Sequence, residues 1–184
     1  KNRRGSNRRR MKVQWQVTAP NDSPFYGDEF AFEAAMVDVD ELADGRLISV
    51  GIVRSPEGFF RVVAQLYDAE GTALGTDFVV EQDGGPNPVP GDGFMIDNPA
   101  VVGLADGGFA ISWREEYNYS MEGGGSATEN TIKFRIFNED GTVRSSELSL
   151  SETKDSHRPW ITELTPYGDG FLATWSDISD DGAD

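Results

Sequence analysis

The densest group of side chains able to bind a ligand lies near the C-terminal end, where Asp177, Asp180, Asp181 and Asp184 surround Gly182. Calcium takes roughly six to eight hard oxygen ligands, and closely spaced aspartates at a glycine turn can supply several of them. The spacing differs from the alternate-position ligands of an EF-hand loop. The sequence therefore leaves two interpretations open, a calcium site or a solvated acidic loop.

Other kinds of chemistry are restricted by composition. The chain has no cysteine and a single histidine, His157, which excludes disulfides, thiolate metal sites, cysteine nucleophiles and any site with two imidazoles. Nucleophile-elbow, phosphate-loop and zinc-ligand spacings are also absent. Glu115 and Glu116 are adjacent, and adjacent side chains of a strand point to opposite faces, so they are poorly placed to flank one glycosidic bond. We expect a protein that is not an enzyme.

Charge narrows the class of partner. The 184 residues carry a net charge of −16, and six of the 16 basic residues fall within positions 1–10. From Met11 onward, 10 basic residues face 32 acidic ones. A strongly acidic segment of this kind repels nucleic acid and attracts cations or basic partners. No apolar run approaches the roughly 20 residues of a membrane helix, so no membrane span is predicted.

The segment before residue 35 is expected to have two parts, a basic tail and the strands of an incomplete repeat. Residues 1–10 form a basic tail, and paired arginine codons just before Met11 could be a ribosome-binding sequence, so we interpret Met11 as the start. No apolar signal region follows Met11, so no conventional secretory signal is predicted. Residues 11–34 are predicted to supply strands of an incomplete repeat.

The rest of the chain contains an internal repeat. Residues 42–47 match 104–109 and residues 108–113 match 170–175, both at an offset of 62, whereas 99–102 match 159–162 at 60. A second motif at 67–72 returns at 137–142. These matches predict repeats at 35–98, 99–156 and 157–184, the last one truncated. The principal repeat positions are Leu104, Asp106, Gly107, Gly108, Phe109, Trp113, Gly170, Phe171, Trp175, Asp68, Gly71 and Gly141.

Alternating apolar residues and glycine turns predict four short strands in each complete repeat. The first repeat should have strands at 35–43, 47–53, 60–67 and 77–82, and the second at 99–105, 109–114, 131–138 and 145–151, with a long loop at 115–130. An all-β, partial β-propeller-like array of four-stranded antiparallel blades follows. A β-sandwich also fits such strands, but it leaves the repeat unexplained.

Individual residues have expected structural roles. Trp113 and Trp175 end alternating strands and are predicted to pack between repeats rather than to stack on sugars. Asp68 and Asp140 should form turns. The acidic, glycine-rich stretch at 83–97 is predicted to be a linker between repeats, although a metal or ligand loop is the alternative.

Residues 99–113, P-A-V-V-G-L-A-D-G-G-F-A-I-S-W, and 67–78, Y-D-A-E-G-T-A-L-G-T-D-F, resemble the repeat of large RTX-type (hemolysin-type calcium-binding) secreted proteobacterial proteins. The resemblance implies propeller-like repeats, calcium-rich surroundings and type I export with a C-terminal signal. Two departures are that Gly51 stands where Trp113 and Trp175 stand in later repeats, and that the calcium nonapeptide G-G-x-G-x-D is absent.

These observations together predict a non-catalytic repeat module of a large secreted, calcium-associated protein that is adhesive or matrix-binding. Its expected partners are cations, surface glycans or proteins, and the remaining blades of a longer chain. Two alternatives stay open. One is part of a polysaccharide hydrolase with inner-strand carboxylates, of which Asp38, Asp40 and Glu163 are candidates, and the other is a sugar-binding lectin.

Overall fold

The computed structural model describes residues 35–54, 60–82, 93–121, 123–154 and 158–178. These residues form antiparallel β-sheets and contain no helix, which confirms the all-β prediction. Residues 1–34, which include the predicted tail and the predicted strands of an incomplete repeat, lie outside the described part. The assignment to a propeller remains a proposal.

The first sheet contains four strands in sequence order: β1 (Ala35–Glu41), β2 (Leu47–Arg54), β3 (Phe60–Tyr67) and β4 (Phe78–Gln82). Apolar side chains alternate along the central strands, so every second residue of β2 and β3 is buried on one face. The predicted bounds of all four strands agree with the structure to within two residues.

The second sheet has the same order: β5 (Gly93–Gly103), β6 (Phe109–Ser120), β7 (Ser126–Phe137) and β8 (Leu148–Lys154). A third sheet pairs β9 (Arg158–Tyr167) with β10 (Gly170–Ile178). The first strands of the three sheets, β1, β5 and β9, lie next to one another in space.

Equivalent turns connect equivalent strands in the first two sheets. The Leu42 N–H donates to the Arg46 carbonyl at 2.8 Å, and the Leu104 N–H donates to the Gly108 carbonyl at the same distance. Gly107 has φ of +90°, which an L side chain rarely adopts. After the third strands, the Asp68 Oδ1 accepts the Thr72 N–H at 2.7 Å, in agreement with its predicted turn-forming role.

Asp140 has the same kind of contact in the second sheet. Its Oδ1 accepts the Thr142 N–H at 2.9 Å and the Thr142 hydroxyl at 2.6 Å. These hydrogen bonds lower the pKa of Asp140, with the hydroxyl as the larger cause. Both repeats therefore end the third strand with a carboxylate-stabilised turn.

The predicted long loop at 115–130 is wrong. Strand β6 continues to Ser120 and pairs with β7 from Glu115 opposite Thr131 to Ser120 opposite Ser126. Tyrosine and β-branched residues in this segment favour strand. The glycines at 123–125 all have positive φ and form the hairpin turn instead of lying within a loop.

The predicted linker at 83–97 is wrong in its last part, because Gly93–Asp97 belongs to β5 and pairs with β6. Residues 83–92 lie outside the described part. The β5 strand bulges between Asp97 and Ala100, where Asn98 has φ of +51°. The bulge divides β5 into two segments with different neighbours.

The strand pairing in the third sheet differs from the alignment of residues 99–102 with 159–162 predicted from the sequence. Ser112 lies opposite Ala100, whereas Thr174, its counterpart, lies opposite Glu163. Strand pairing therefore relates β5 and β9 by an offset of 63 rather than 60. Gly103 pairs with Phe109 across five residues, whereas the equivalent Pro166 pairs with Phe171 across four, so the chain is one residue shorter between these equivalent pairs.

The core joins the first sheet to the second. Phe109 and Phe137 stack with ring centroids 5.2 Å apart, and Phe78 of the first sheet packs against both. Trp113 is fully buried in the same cluster. The other buried members are Leu42, Ile48, Val50, Ile52, Val62, Ala64, Leu66, Val80, Ile96, Val101 and Ile111. Hydrophobic burial therefore holds these two sheets together.

Candidate functional site

The first strands of the three sheets border a groove of about 540 Å³. Asp38 and Asp40 of β1 and Glu163 of β9 all line it, so the structure brings together the three inner-strand carboxylates identified in the sequence. The remaining lining residues are Val39, Asn98, Pro99, Ala100, Val101, Ile161, Leu164, Thr165 and Pro166. The groove is the principal candidate site.

Two of these carboxylates hold the neighbouring strand. The Asp38 Oδ2 accepts the Val101 N–H at 2.9 Å, and the Asp40 Oδ2 accepts the Gly103 N–H at 2.8 Å. Each second carboxylate oxygen accepts the N–H of the next residue in β1 at 2.9 Å. Because Val101 and Gly103 lie two residues apart, their N–H groups leave β5 on the same edge. We call this pair of contacts the aspartate clamp.

Gly103 is required at this contact. A Cβ at this position would lie 2.7 Å from the Glu41 carbonyl oxygen, closer than real Cβ atoms come to a neighbour. The absence of a side chain allows β5 to approach β1 closely enough for the Asp40 hydrogen bond.

No equivalent clamp links the second and third sheets through the same positions. Ala100 and Val102 occupy the places in β5 that Asp38 and Asp40 occupy in β1. The Asn98 side-chain amide instead donates to the Ile161 carbonyl at 3.2 Å. Glu163 is exposed and accepts the Thr165 hydroxyl at 3.1 Å.

A buried ionic cluster lies on β5 and β6. Arg114, only 4% exposed, donates two hydrogen bonds to the carboxylate of Asp97, and the Glu116 Oε2 lies 3.6 Å from its guanidinium. Burial opposes the charge of Arg114, but the hydrogen bonds with Asp97 raise its pKa overall. Glu116 also accepts the Asn118 amide at 3.1 Å. The cluster thus contains two carboxylates and one guanidinium, and the buried Glu116 Oε2 has no hydrogen-bond partner among the described residues.

A second ionic cluster connects the first two sheets. Lys133 lies 2.7 Å from Glu115 and 2.8 Å from Glu147. Burial opposes the charge of Lys133, but its hydrogen bonds with these carboxylates raise its pKa. Burial likewise opposes the charge of Glu147, and Lys133 lowers the pKa of that carboxyl overall.

Arg135 completes this second cluster. Its guanidinium donates to the Val80 carbonyl and to Glu81 in the first sheet, and to Glu147 in the second. It also lies 5.8 Å from the centre of the Trp113 ring. Sequence reasoning did not identify these roles, although the alternation of Lys133 and Arg135 between apolar residues marked a polar face of β7.

The two tryptophans at equivalent repeat positions differ. Trp113 is fully buried, and its indole N–H donates to Glu115 Oε1 at 3.0 Å. Trp175 is 42% exposed. Phe171, four residues earlier in β10, packs edge-on against Phe134 of the second sheet, with the ring centroids 5.3 Å apart. The predicted packing between repeats is therefore seen for Trp113, whereas Trp175 is only partly buried.

The β6–β7 hairpin presents a tyrosine pair. The rings of Tyr117 and Tyr119 stack with centroids 5.5 Å apart, and Tyr117 is 36% exposed. The Tyr119 hydroxyl donates to Glu129 at 3.4 Å. Sequence reasoning missed this surface because it placed residues 115–130 in a loop.

The predicted calcium ligands are mostly outside the described part. Asp177 belongs to β10, where its backbone lies opposite Pro159, while its side chain, Asp180, Asp181, Asp184 and His157 are not described. Within the described ranges, no group of three or more His, Asp or Glu side chains could hold a metal ion. The same ranges contain no helix long and apolar enough to cross a membrane.

Comparison with known proteins gave no relative. No family model matches the chain, and searches of curated proteins and of solved structures found no match.

Proposed function

We propose that the chain is a non-catalytic, β-propeller-like repeat module of a large secreted, calcium-associated protein with an adhesive or matrix-binding role. The aspartate clamp carries this proposal. Asp38 and Asp40 use all four carboxylate oxygens to hold β1 and the next repeat, which is an assembly role rather than a chemical one.

The wider distribution of carboxylates supports a non-catalytic role. Asp97 is hydrogen-bonded to Arg114, and Glu115 and Glu147 both lie within 2.8 Å of Lys133. A glycosidase needs one carboxyl that donates a proton and a second that acts as base or nucleophile, both facing the same bond. Of the three groove carboxylates only Glu163 is exposed, and its described partner is the Thr165 hydroxyl.

Calcium association and export rest on the resemblance to RTX-type repeats and on the acidic excess. Thermal unfolding followed by far-UV circular dichroism, in chelator, calcium or magnesium, tests the calcium part. A midpoint raised by millimolar calcium but not by equal magnesium is expected, since a ligand that binds only the folded state stabilises it.

The quadruple variant D177N/D180N/D181N/D184N should lose that calcium-dependent rise. A charge-matched control, E41Q/E70Q/E139Q/E163Q, changes four exposed glutamates and should retain it. An identical midpoint in calcium and magnesium for the parent chain would remove calcium from the proposal. Equal loss in both variants would assign the effect to general charge.

A lectin function is the second candidate, and the tyrosine pair favours it. Exposed aromatic rings stack on the apolar faces of sugars, and a neighbouring carboxylate such as Glu129 can accept sugar hydroxyls. On a glycan array we expect binding that Y117A/Y119A removes at least tenfold. Y167A changes another exposed tyrosine, on β9, and should leave binding unchanged. No binding by the parent chain would dismiss this candidate.

A further inference from the structure

The tyrosine pair lies near the end of β6, next to the β6–β7 turn. Tyr117 lies opposite Phe94 of β5 and Glu129 of β7, and Phe94 packs against the core that joins the first two sheets. Tyr119 lies two residues further out, opposite Ala127. Because alternate residues of a strand share a face, both rings stand on the same side of the sheet as Glu129. Paired strands therefore hold the rings in place before a ligand arrives.

The pair presents apolar ring surface and polar atoms together. Tyr117 is 36% exposed, and Met121, which follows β6, is 47% exposed. The two rings stack with centroids 5.5 Å apart, so each ring offers its outer face to a ligand. The Tyr119 hydroxyl donates to Glu129 at 3.4 Å, which places a carboxylate at the polar end of that ring. An apolar face bordered by hydroxyls and a carboxylate suits a ligand that is itself partly apolar and partly polar, such as a sugar.

The charge around the pair discriminates among sugars. Residues 115–130 contain four glutamates and no lysine or arginine, and two of these glutamates belong to the ionic clusters described above. In the β7–β8 register, Lys154 lies opposite Glu129 and Glu152 lies opposite Thr131, so these two β8 residues add no net charge. The whole chain has a net charge of −16. Such a surface repels anionic glycans and attracts cationic ones.

We propose that the tyrosine pair binds glycans whose sugars carry free amino groups, such as glucosamine units, in preference to neutral or acidic sugars. The apolar face of such a sugar packs on the outer face of a ring, while its ammonium group forms a charge-assisted hydrogen bond with the Glu129 carboxylate. An N-acetylated sugar keeps the first contact and loses the second. This inference rests on the lectin function proposed above, names its class of sugar and does not depend on calcium.

Isothermal titration calorimetry of the full chain, in chelator, tests the proposal. Oligomers of glucosamine and of N-acetylglucosamine are compared at about pH 6, where amines are protonated and carboxylates are ionised. We expect the glucosamine oligomer to bind at least tenfold more tightly. Added salt should narrow this difference, because it screens the attraction between the ammonium groups and the acidic surface. An oligomer of galacturonic acid, which carries the opposite charge, should not bind.

Two variants separate the contribution of the rings from that of the carboxylate. Y117A/Y119A should weaken the binding of both amino-sugar oligomers at least tenfold. E129Q keeps an acceptor for the Tyr119 hydroxyl but removes the charge, so it should remove most of the preference for glucosamine and leave the binding of N-acetylglucosamine unchanged. The matched control E70Q changes an exposed glutamate in the β3–β4 turn and should retain the preference.

The outcomes distinguish this inference from the lectin function on which it rests. Equal binding of the two amino-sugar oligomers, lost in Y117A/Y119A, overturns the preference for free amines and leaves the lectin function standing. No binding of any oligomer overturns both. Oligolysine that binds as tightly as the glucosamine oligomer, and is lost in Y117A/Y119A, makes the ligand a basic peptide and overturns the proposal. An equal loss of preference in E129Q and E70Q assigns it to general charge and overturns the role of Glu129, even if Y117A/Y119A does not fold.

Discussion

The junction between the first and second sheets and the junction between the second and third use the same repeat positions differently. At the first junction, Trp113 is buried and Asp38 and Asp40 hold the backbone of β5. At the second, Trp175 is 42% exposed, and Ala100 and Val102 replace the aspartates. Repeat motifs therefore specify strands and turns, whereas residues that do not repeat, Asp38 and Asp40, make the backbone contacts that distinguish the first junction from the second.

Substitution of the two tryptophans should give the largest difference in stability between the two junctions. W113A leaves a cavity in the core and removes the ring beside Arg135, so we expect a loss of about 3–5 kcal/mol in the free energy of unfolding. W175A removes a half-exposed ring and should cost about 1 kcal/mol. Chemical denaturation of both variants measures the difference, and equal losses would contradict the distinction between the junctions.

Removal of the aspartate clamp should have an intermediate effect. D40A leaves the Gly103 N–H without its charged acceptor, and we expect a loss of about 1.5–3 kcal/mol in the free energy of unfolding. E163A, which changes the exposed groove carboxylate at the second junction, should cost less than about 0.5 kcal/mol. Hydrogen exchange should also be faster at the Gly103 amide in D40A. Unchanged exchange there would show that the clamp does not protect β5.

Acidification should produce the smallest effect. A hydrogen bond from Arg144, followed by one from the Gly108 N–H, lowers the pKa of Asp106. Because the folded-state pKa is the lower one, this stabilisation is complete above the unfolded value of about 3.9 and is lost as pH falls through and below it. For so exposed a pair we expect only about 0.5 kcal/mol.

The variant D106N isolates this contribution. Its stability should fall less than that of the parent chain between about pH 6 and pH 3, measured by denaturation at each pH. D169N, in the β9–β10 turn, is the matched control because Asp169 forms no ion pair with any described residue. Identical pH profiles for D106N and the parent chain would exclude a contribution from the Asp106–Arg144 pair.

The sequence was sufficient to predict features that depend on local pattern. Alternation and glycine turns gave all four strands of the first sheet and the turns at Gly107 and Gly141, because strand and turn preferences act over a few residues. The same reasoning misplaced residues 115–130, because a triglycine suggested a loop although its flanking residues pair across a hairpin.

The candidate site was less accessible to sequence reasoning. Asp38, Asp40 and Glu163 were identified as inner-strand carboxylates, but their hydrogen-bond partners come from residues more than 60 positions away or from their own strand. The Arg114 and Lys133 clusters depend on cross-strand register, and a shift of one residue would place each side chain on the other face. A single sequence does not specify such distant register.

The aspartate clamp places unequal demands on the two repeats that it joins. The donating groups are main-chain N–H groups, which every residue except proline has. Only the preceding repeat must keep particular side chains, while the following strand needs little more than a glycine at the position of Gly103. A gene encoding such units can duplicate or exchange the following unit without a matching change in its neighbour, so the junction favours growth of the array by recombination.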